Sequence, residues 1–333
     1  MTREDTDLVK GLAIAMMLWH HLFLNTLEYG KFVNDLAVFF KVCVSLFLFV
    51  SGYGLTKQYA RIERHTVKNT AIFLSKRYVK FFMSYWFCMA LVLAVGLLSG
   101  YSLHEAYPAT RNVWKCLILD IWGQMGYSSY LPTWWFNKLI IQLYLIFPLL
   151  FLLLRNKYVS WIGLLALIAV EQTSCVNVFC VIEGGVVAFY IGMLAARHSF
   201  RIPNRGLALL LGLAAIAALA FVRCRLKAVR FTIVDGFLAW VFSLALVQGK
   251  TYYRFPVLHV FGKYATVIYL IHILIKRLLA TILYAIPYAV LTYVSFMAVS
   301  LLVAVVIVKL QEWCRYDRLQ AKVVGYLSKP LSK

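Results

Sequence analysis

Residues 7–23 read Asp7-Leu-Val-Lys10-Gly11-Leu-Ala-Ile-Ala-Met-Met-Leu-Trp19-His20-His21-Leu-Phe23. The run is apolar enough to open a membrane helix, yet it carries a lysine at its mouth and two histidines inside. Lys10 and His21 are close to three helical turns apart, so their side chains share a face, separated along the axis by roughly 16 Å. That is about half of a ~30 Å hydrocarbon core. His20 is turned about 100° from that face. A histidine on an apolar helix is usually a hydrogen-bonded packing residue. Inside a bilayer the balance shifts, because an ionisable group costs roughly 2.5–3.5 kcal/mol at a helix centre and tends to mark a pathway or a site. Histidine also titrates near neutral pH, which suits a general base.

Working outward, the rest of the chain has the same character. Its 333 residues are 63% hydrophobic and only 14% charged, with a mean hydropathy of +0.79. Repeated apolar runs of membrane length predict an all-α polytopic transmembrane bundle. Arg3, Glu4, Asp5 and Asp7 precede the first run and no small-residue cleavage site follows it, so the first helix is expected to stay in the protein. The net charge of +21 does not point to nucleic acid. Lysines and arginines cluster between the apolar runs, where positive-inside bias and anionic lipid heads put them. The seven cysteines have no metal-ligand spacing, and buried thiols are expected, with Cys175 and Cys180 near enough to approach one another.

The apolar pattern predicts about ten spans, at 8–27, 36–56, 79–99, 134–154, 158–173, 178–196, 206–222, 231–248, 257–282 and 288–310. Both termini then lie on one side. With that side cytoplasmic, 23 of the 34 Lys and Arg fall inside and 11 outside. The cluster Arg223, Arg225, Lys227 and Arg230 offends the rule. Residues 1–312 are expected to be the integral-membrane domain, and 313–333 a short basic cytoplasmic tail. The longest inward basic stretch, 57–80, ends in Lys76, Arg77 and Lys80. The longest outward loop, 100–133, holds Trp114, Trp122, Tyr127 and Tyr130. Within it Ile118 to Trp122 is apolar but too short to span, so it is expected at the interface or dipping in.

Further segments form a pattern with the first. Ser45-Leu-Phe-Leu-Phe-Val-Ser51-Gly52-Tyr53 is a Phe-rich Ser-Gly signature. Lys76-Arg77-Tyr-Val-Lys80 is a basic turn, and Trp134-Trp135-Phe136 leads to Tyr144-Leu-Ile-Phe-Pro148. Gly192-Met193 ends a helix, and Phe261-Gly262-Lys263-Tyr264-Ala265 leads to Tyr269-Leu270-Ile271-His272. In this order and spacing they resemble the bacterial acyltransferase-3 membrane O-acyltransferases, which decorate surface glycans. Two positions depart from that pattern: Lys10 replaces the common arginine, and Ala265 stands where a serine is frequent. No hydrolase-like extension follows, so a stand-alone membrane enzyme is expected.

The resemblance implies transfer of an acyl group, usually acetyl, from cytoplasmic acyl-coenzyme A to a hydroxyl of an extracytoplasmic glycan or glycolipid. It places the protein in the bacterial plasma membrane, with no metal. A sugar hydroxyl needs a base within hydrogen-bond reach, and His21 is the candidate. Coenzyme A carries phosphates, so Lys76, Arg77 and Lys80 are its expected dock. Lys10 is placed to bind the donor, with Asp7 one turn earlier orienting it as an i,i+3 pair; the plainer reading is a helix-start anchor. His272 is a second polar wall for the substrate and His20 a supporting residue. Trp134 and Trp135 lie where an aromatic belt sits, and sugar stacking is the sharper hypothesis. Glu171 and Glu183 stand near the outer ends of their helices, with Glu183 a substrate-side candidate. Ser51 and Gly52 are read as a close-packing pair rather than a nucleophile. The rival class is a proton-coupled transporter or exporter, in which Lys10, His21 and intramembrane acids relay protons; no inverted repeats or paired Gly/Pro-interrupted helices support it. A non-catalytic partner in glycan assembly would need the helices but not His21.

Overall fold

A computed structural model of the chain describes residues 1–172, 185–198, 204–225, 233–250 and 252–327, and all regular structure among them is helical. The first helices are α1 (Arg3–Phe23), α2 (Lys31–Phe39), α3 (Cys43–Tyr59), α4 (Val67–Leu98), α5 (Leu103–Ala106) and α6 (Val113–Ile121). Next come α7 (Trp135–Leu153), α8 (Lys157–Gln172), α9 (Gly185–Arg197), α10 (Arg205–Arg225) and α11 (Ile233–Gly249). The last are α12 (Pro256–Lys263), α13 (Ala265–Leu278), α14 (Ala280–Tyr284), α15 (Ala289–Trp313) and α16 (Tyr316–Tyr326).

The expected spans are mostly helical where they are described, with α1 ending at Phe23 and a break at Tyr264 inside 257–282, so the all-α bundle stands. Among the described residues, five stretches are long and apolar enough to cross a membrane: Lys31–Tyr59, Val67–Leu98, Pro132–Leu153, Gly206–Arg225 and Ala289–Trp313. The bent pair α12 and α13 makes a possible sixth, and α9 and α11 are shorter apolar helices. Asp7, Lys10, His20 and His21 dilute the apolar run of α1, which is not among them. The expected tail carries a helix: the Tyr316 hydroxyl of α16 donates to the Met83 carbonyl at 2.9 Å. Cys43, Cys88 and Cys116 are buried as expected, whereas Cys224 and Cys314 are exposed. Cys175 and Cys180 lie outside the described residues.

The chain divides into two compact units, described separately: Met1–Arg61 with Ile146–Ala265, and Ile62–Leu145 with Thr266–Lys333. In the first unit, α1 and α12 run antiparallel with glycines at their contact. A Cβ on Gly11 would run into the Leu258 backbone, and one on Gly262 into the Asp7 backbone. Helices α3 and α9 repeat the device, with Gly52 against Phe189 and Gly192 against Phe49. Small residues let backbones approach where lipid supplies no hydrophobic drive between helices. The close-packing reading of Gly52 is thus correct. Ion pairs close the remainder. Arg223 of α10 donates to Asp235 of α11 at 2.7 Å with both side chains buried, and Lys250 pairs with Asp5. Arg223 is therefore neutralised inside the protein, which removes it from the outward basic cluster.

The second unit is joined by aromatic side chains that donate to carbonyls of another segment. The Tyr78 hydroxyl reaches Ile141 O at 2.9 Å, Tyr85 reaches Asp120 O at 2.7 Å, and Trp86 Nε1 reaches Ile121 O at 2.8 Å. Trp134 Nε1 donates to Leu270 O at 3.0 Å, and Tyr269 returns a bond to Thr133 O at 2.9 Å.

Candidate active site

The first unit holds Asp7, Lys10, His20 and His21. A capping box starts α1: the Thr2 hydroxyl accepts from the Asp5 N–H at 3.2 Å, and the Asp5 carboxylate accepts from the Thr2 N–H at 2.6 Å. Two donors that a helix N-terminus leaves open are thereby satisfied. One turn on, Lys10 Nζ lies 3.2 Å from Asp7 Oδ1, the i,i+3 pair expected from the spacing. The Asp7 backbone is pressed against Gly262 and that of Gly11 against Leu258, so the turn carrying Lys10 is held against α12 at two points one turn apart.

At the other end of α1 the two histidines part company. His20 is buried, with Nδ1 2.7 Å from the carbonyl oxygen of Ala37. A carbonyl can only accept, so Nδ1 carries the hydrogen. Trp19 beside it donates from Nε1 to Val33 O at 3.3 Å. His21 is half-buried, as Lys10 is, and its ring packs edge-on to His20 with centroids 4.9 Å apart. The more accessible histidine is thus the one that shares the face of Lys10, and the buried one packs against it.

The remaining candidates lie in the second unit. Lys76 and Arg77 are half-buried and Lys80 is exposed. They are not at the opening of their helix, since α4 begins at Val67; the turn lies well inside it, beside the Tyr78 contact to Ile141. The Arg77 guanidinium sits 5.5 Å over the Phe73 ring, which fixes it by a cation–π contact. Trp134 is fully buried, edge-on to Tyr85 with centroids 5.2 Å apart, so it is an interior residue and not part of an aromatic belt. Trp135 stacks on Tyr127 at 5.1 Å and 23°. His272 is buried, its Nδ1 2.8 Å from Tyr269 O one turn back. Tyr269 also reaches Asn137 Oδ1 at 3.2 Å. Among the described residues, no partner is found for the Asn137 Nδ2 or the Thr133 hydroxyl.

One of the two outer-end acids turns out differently from the pairings with a histidine or the Arg223–Arg230 cluster that its position allows. Glu171 accepts the Val187 N–H at 2.8 Å, capping α9 rather than meeting a histidine or the basic cluster. Glu183 lies outside the described residues. One acid was overlooked. Asp120, the lone acid in the apolar run of α6, is fully buried, and accepts the Tyr107 hydroxyl at 3.0 Å and the Tyr130 N–H at 2.7 Å. Its position inside an apolar run was the available signal.

A family model described as an acyltransferase domain, acyltransferase-3, matches residues 3–309 of the chain. The chain belongs to the acyltransferase-3 family. Neither the curated proteins nor the solved structures give a match. The protein is a multi-pass membrane acyltransferase, and four glycines of the family-like motifs, Gly11, Gly52, Gly192 and Gly262, are points where helices of the first unit touch backbone to backbone.

Proposed function

We propose that this acyltransferase moves an acyl group, acetyl in the first instance, from acyl-coenzyme A to a hydroxyl of a glycan or lipid-linked sugar across a bacterial plasma membrane. The supporting observation is the division of labour between the two histidines: His20 is tied to Ala37 O, while His21 stays accessible on the Lys10 face. His21 takes the proton of the acceptor hydroxyl as its oxygen attacks the thioester carbonyl. The carbon–sulfur bond breaks, and the proton passes from His21 to the departing thiolate, leaving an ester and coenzyme A. Lys10, steadied by Asp7, binds the donor, and Lys76, Arg77 and Lys80 take its phosphates.

A positioned general base contributes about 10²–10⁴-fold. His21→Ala, confirmed stable in membranes, should therefore lose glycan acylation by at least about a hundredfold. Wild-type acylation by that variant refutes the role of His21. Binding of acetyl-coenzyme A to the purified protein separates the enzyme from a proton-coupled transporter, which has no use for the donor.

A further inference from the structure

Helix α6 is built inside out. Its protein-facing side carries the Asp120 carboxylate, while its outer side carries Trp114, Ile118 and Trp122, at 67%, 58% and 52% exposure. The neighbouring part of α4 is also apolar and open, with Leu98 at 89% and Trp86 at 36%. A surface helix in water has the opposite arrangement.

The path of the chain explains where such a helix belongs. Helices α4 and α7 run antiparallel, with Trp134 against Tyr85 and Ile141 against Tyr78. The helical stretch that begins at Pro132 is therefore level with about residue 87 of α4, and α4 continues roughly 16 Å beyond that level, at 1.5 Å per residue, to Leu98. The chain must come back along α4 to begin α7. Tyr101 and Tyr130 join the two ends of this return: the Tyr130 hydroxyl donates to Tyr101 O at 2.8 Å. At its far end Trp122 packs on Phe82 and Trp86, with centroids 5.7 and 5.8 Å away. The carbonyls at the end of α6 are closed there: Tyr85 and Gly123 N–H bond Asp120 O, Gln124 N–H bonds Leu119 O, and Trp86 bonds Ile121 O. Gly123, at φ +65°, supplies the left-handed residue this ending requires. A helix that stops within lipid must satisfy its last carbonyls in this way.

We propose that residues 100–131 form a re-entrant arm, with α6 running back into the bilayer beside α4 and its Trp114–Ile118–Trp122 face lying on lipid acyl chains. Continuity with the exposed apolar side of α4 argues for lipid as the occupant. The charges agree, since Arg111 and Lys115 stand at the entry end of α6 and none follows on its outer face. The side chain of Lys115 is long enough to snorkel.

The test uses the full-length protein in nanodiscs, with Cys175, Cys180, Cys224 and Cys314 replaced by serine. Ile118→Cys, and separately Trp114→Cys in case the first variant fails to fold, carries an environment-sensitive fluorophore. Mid-chain brominated lipid should quench either label several times more strongly than aqueous iodide, and Arg111→Cys should show the reverse order. Iodide quenching at 118 and 114 equal to that at 111 puts the arm in water. Quenching by neither agent puts a protein, or a second copy of the chain, on this face. Either result overturns the proposal.

Discussion

In the first unit α1 meets α12, and α3 meets α9, backbone to backbone across glycines; in the second, α4, α6, α7 and α13 stand apart and are joined by tyrosine and tryptophan donors reaching a neighbour's carbonyls. The glycine contacts have no slack, because a single methyl group meets fixed backbone. The aromatic contacts are separate hydrogen bonds, each worth about 0.5–1.5 kcal/mol net, and the loss of one leaves the others standing. The contrast follows the residues each unit holds in place. The glycine contacts with α12 lie at Asp7 and Gly11, at the mouth of the helix that carries His21, and a small displacement there moves the candidate base. The aromatic pegs instead hold a long return of chain along α4.

The contrast can be broken by mutation. Gly11→Ala should have the largest effect, about 3 kcal/mol or more, because the Leu258 backbone must move to admit a methyl group. Thermal unfolding of the purified protein measures it, and adding Gly262→Ala should cost less than the sum, since the first change has already parted α1 and α12. Asp120→Ala comes next, at about 2–4 kcal/mol, because the Tyr107 hydroxyl and Tyr130 N–H lose a buried acceptor. Asp120→Asn keeps one carbonyl oxygen and should recover more than half of that loss. Tyr78→Phe and Trp86→Phe should be mildest, about 1 kcal/mol each and additive, as each removes one donor to a carbonyl. If Gly11→Ala proves as mild as Tyr78→Phe, the distinction between the units is lost.

These differences also mark what the sequence made readable. Helical period places Lys10 and His21 on one face and His20 off it, and the half-buried and buried positions agree with that spacing. The i,i+3 pair of Asp7 and Lys10 is local, so spacing sufficed. Trp134 was misread because its indole partner, Leu270, lies 136 residues away, and no local pattern separates an interior tryptophan from a belt tryptophan. Asp120 escaped notice for a related reason: its partners come from α4 and from the chain around Tyr107 and Tyr130, which only the return along α4 brings together. Glu171 was seen as an unassigned acid, but its partner is a backbone N–H, a kind that residue types do not advertise.

The buried pair of Arg223 and Asp235 bears on how the chain is assembled. The two residues are twelve positions apart on successive helices, so neither can neutralise the other until α10 and α11 lie side by side. Threaded singly, α10 would bring a bare guanidinium, and α11 a bare carboxylate, into a medium that penalises both. Entering together as a hairpin, the two side chains cancel one another's charge, so the pair favours insertion of α10 and α11 as one unit.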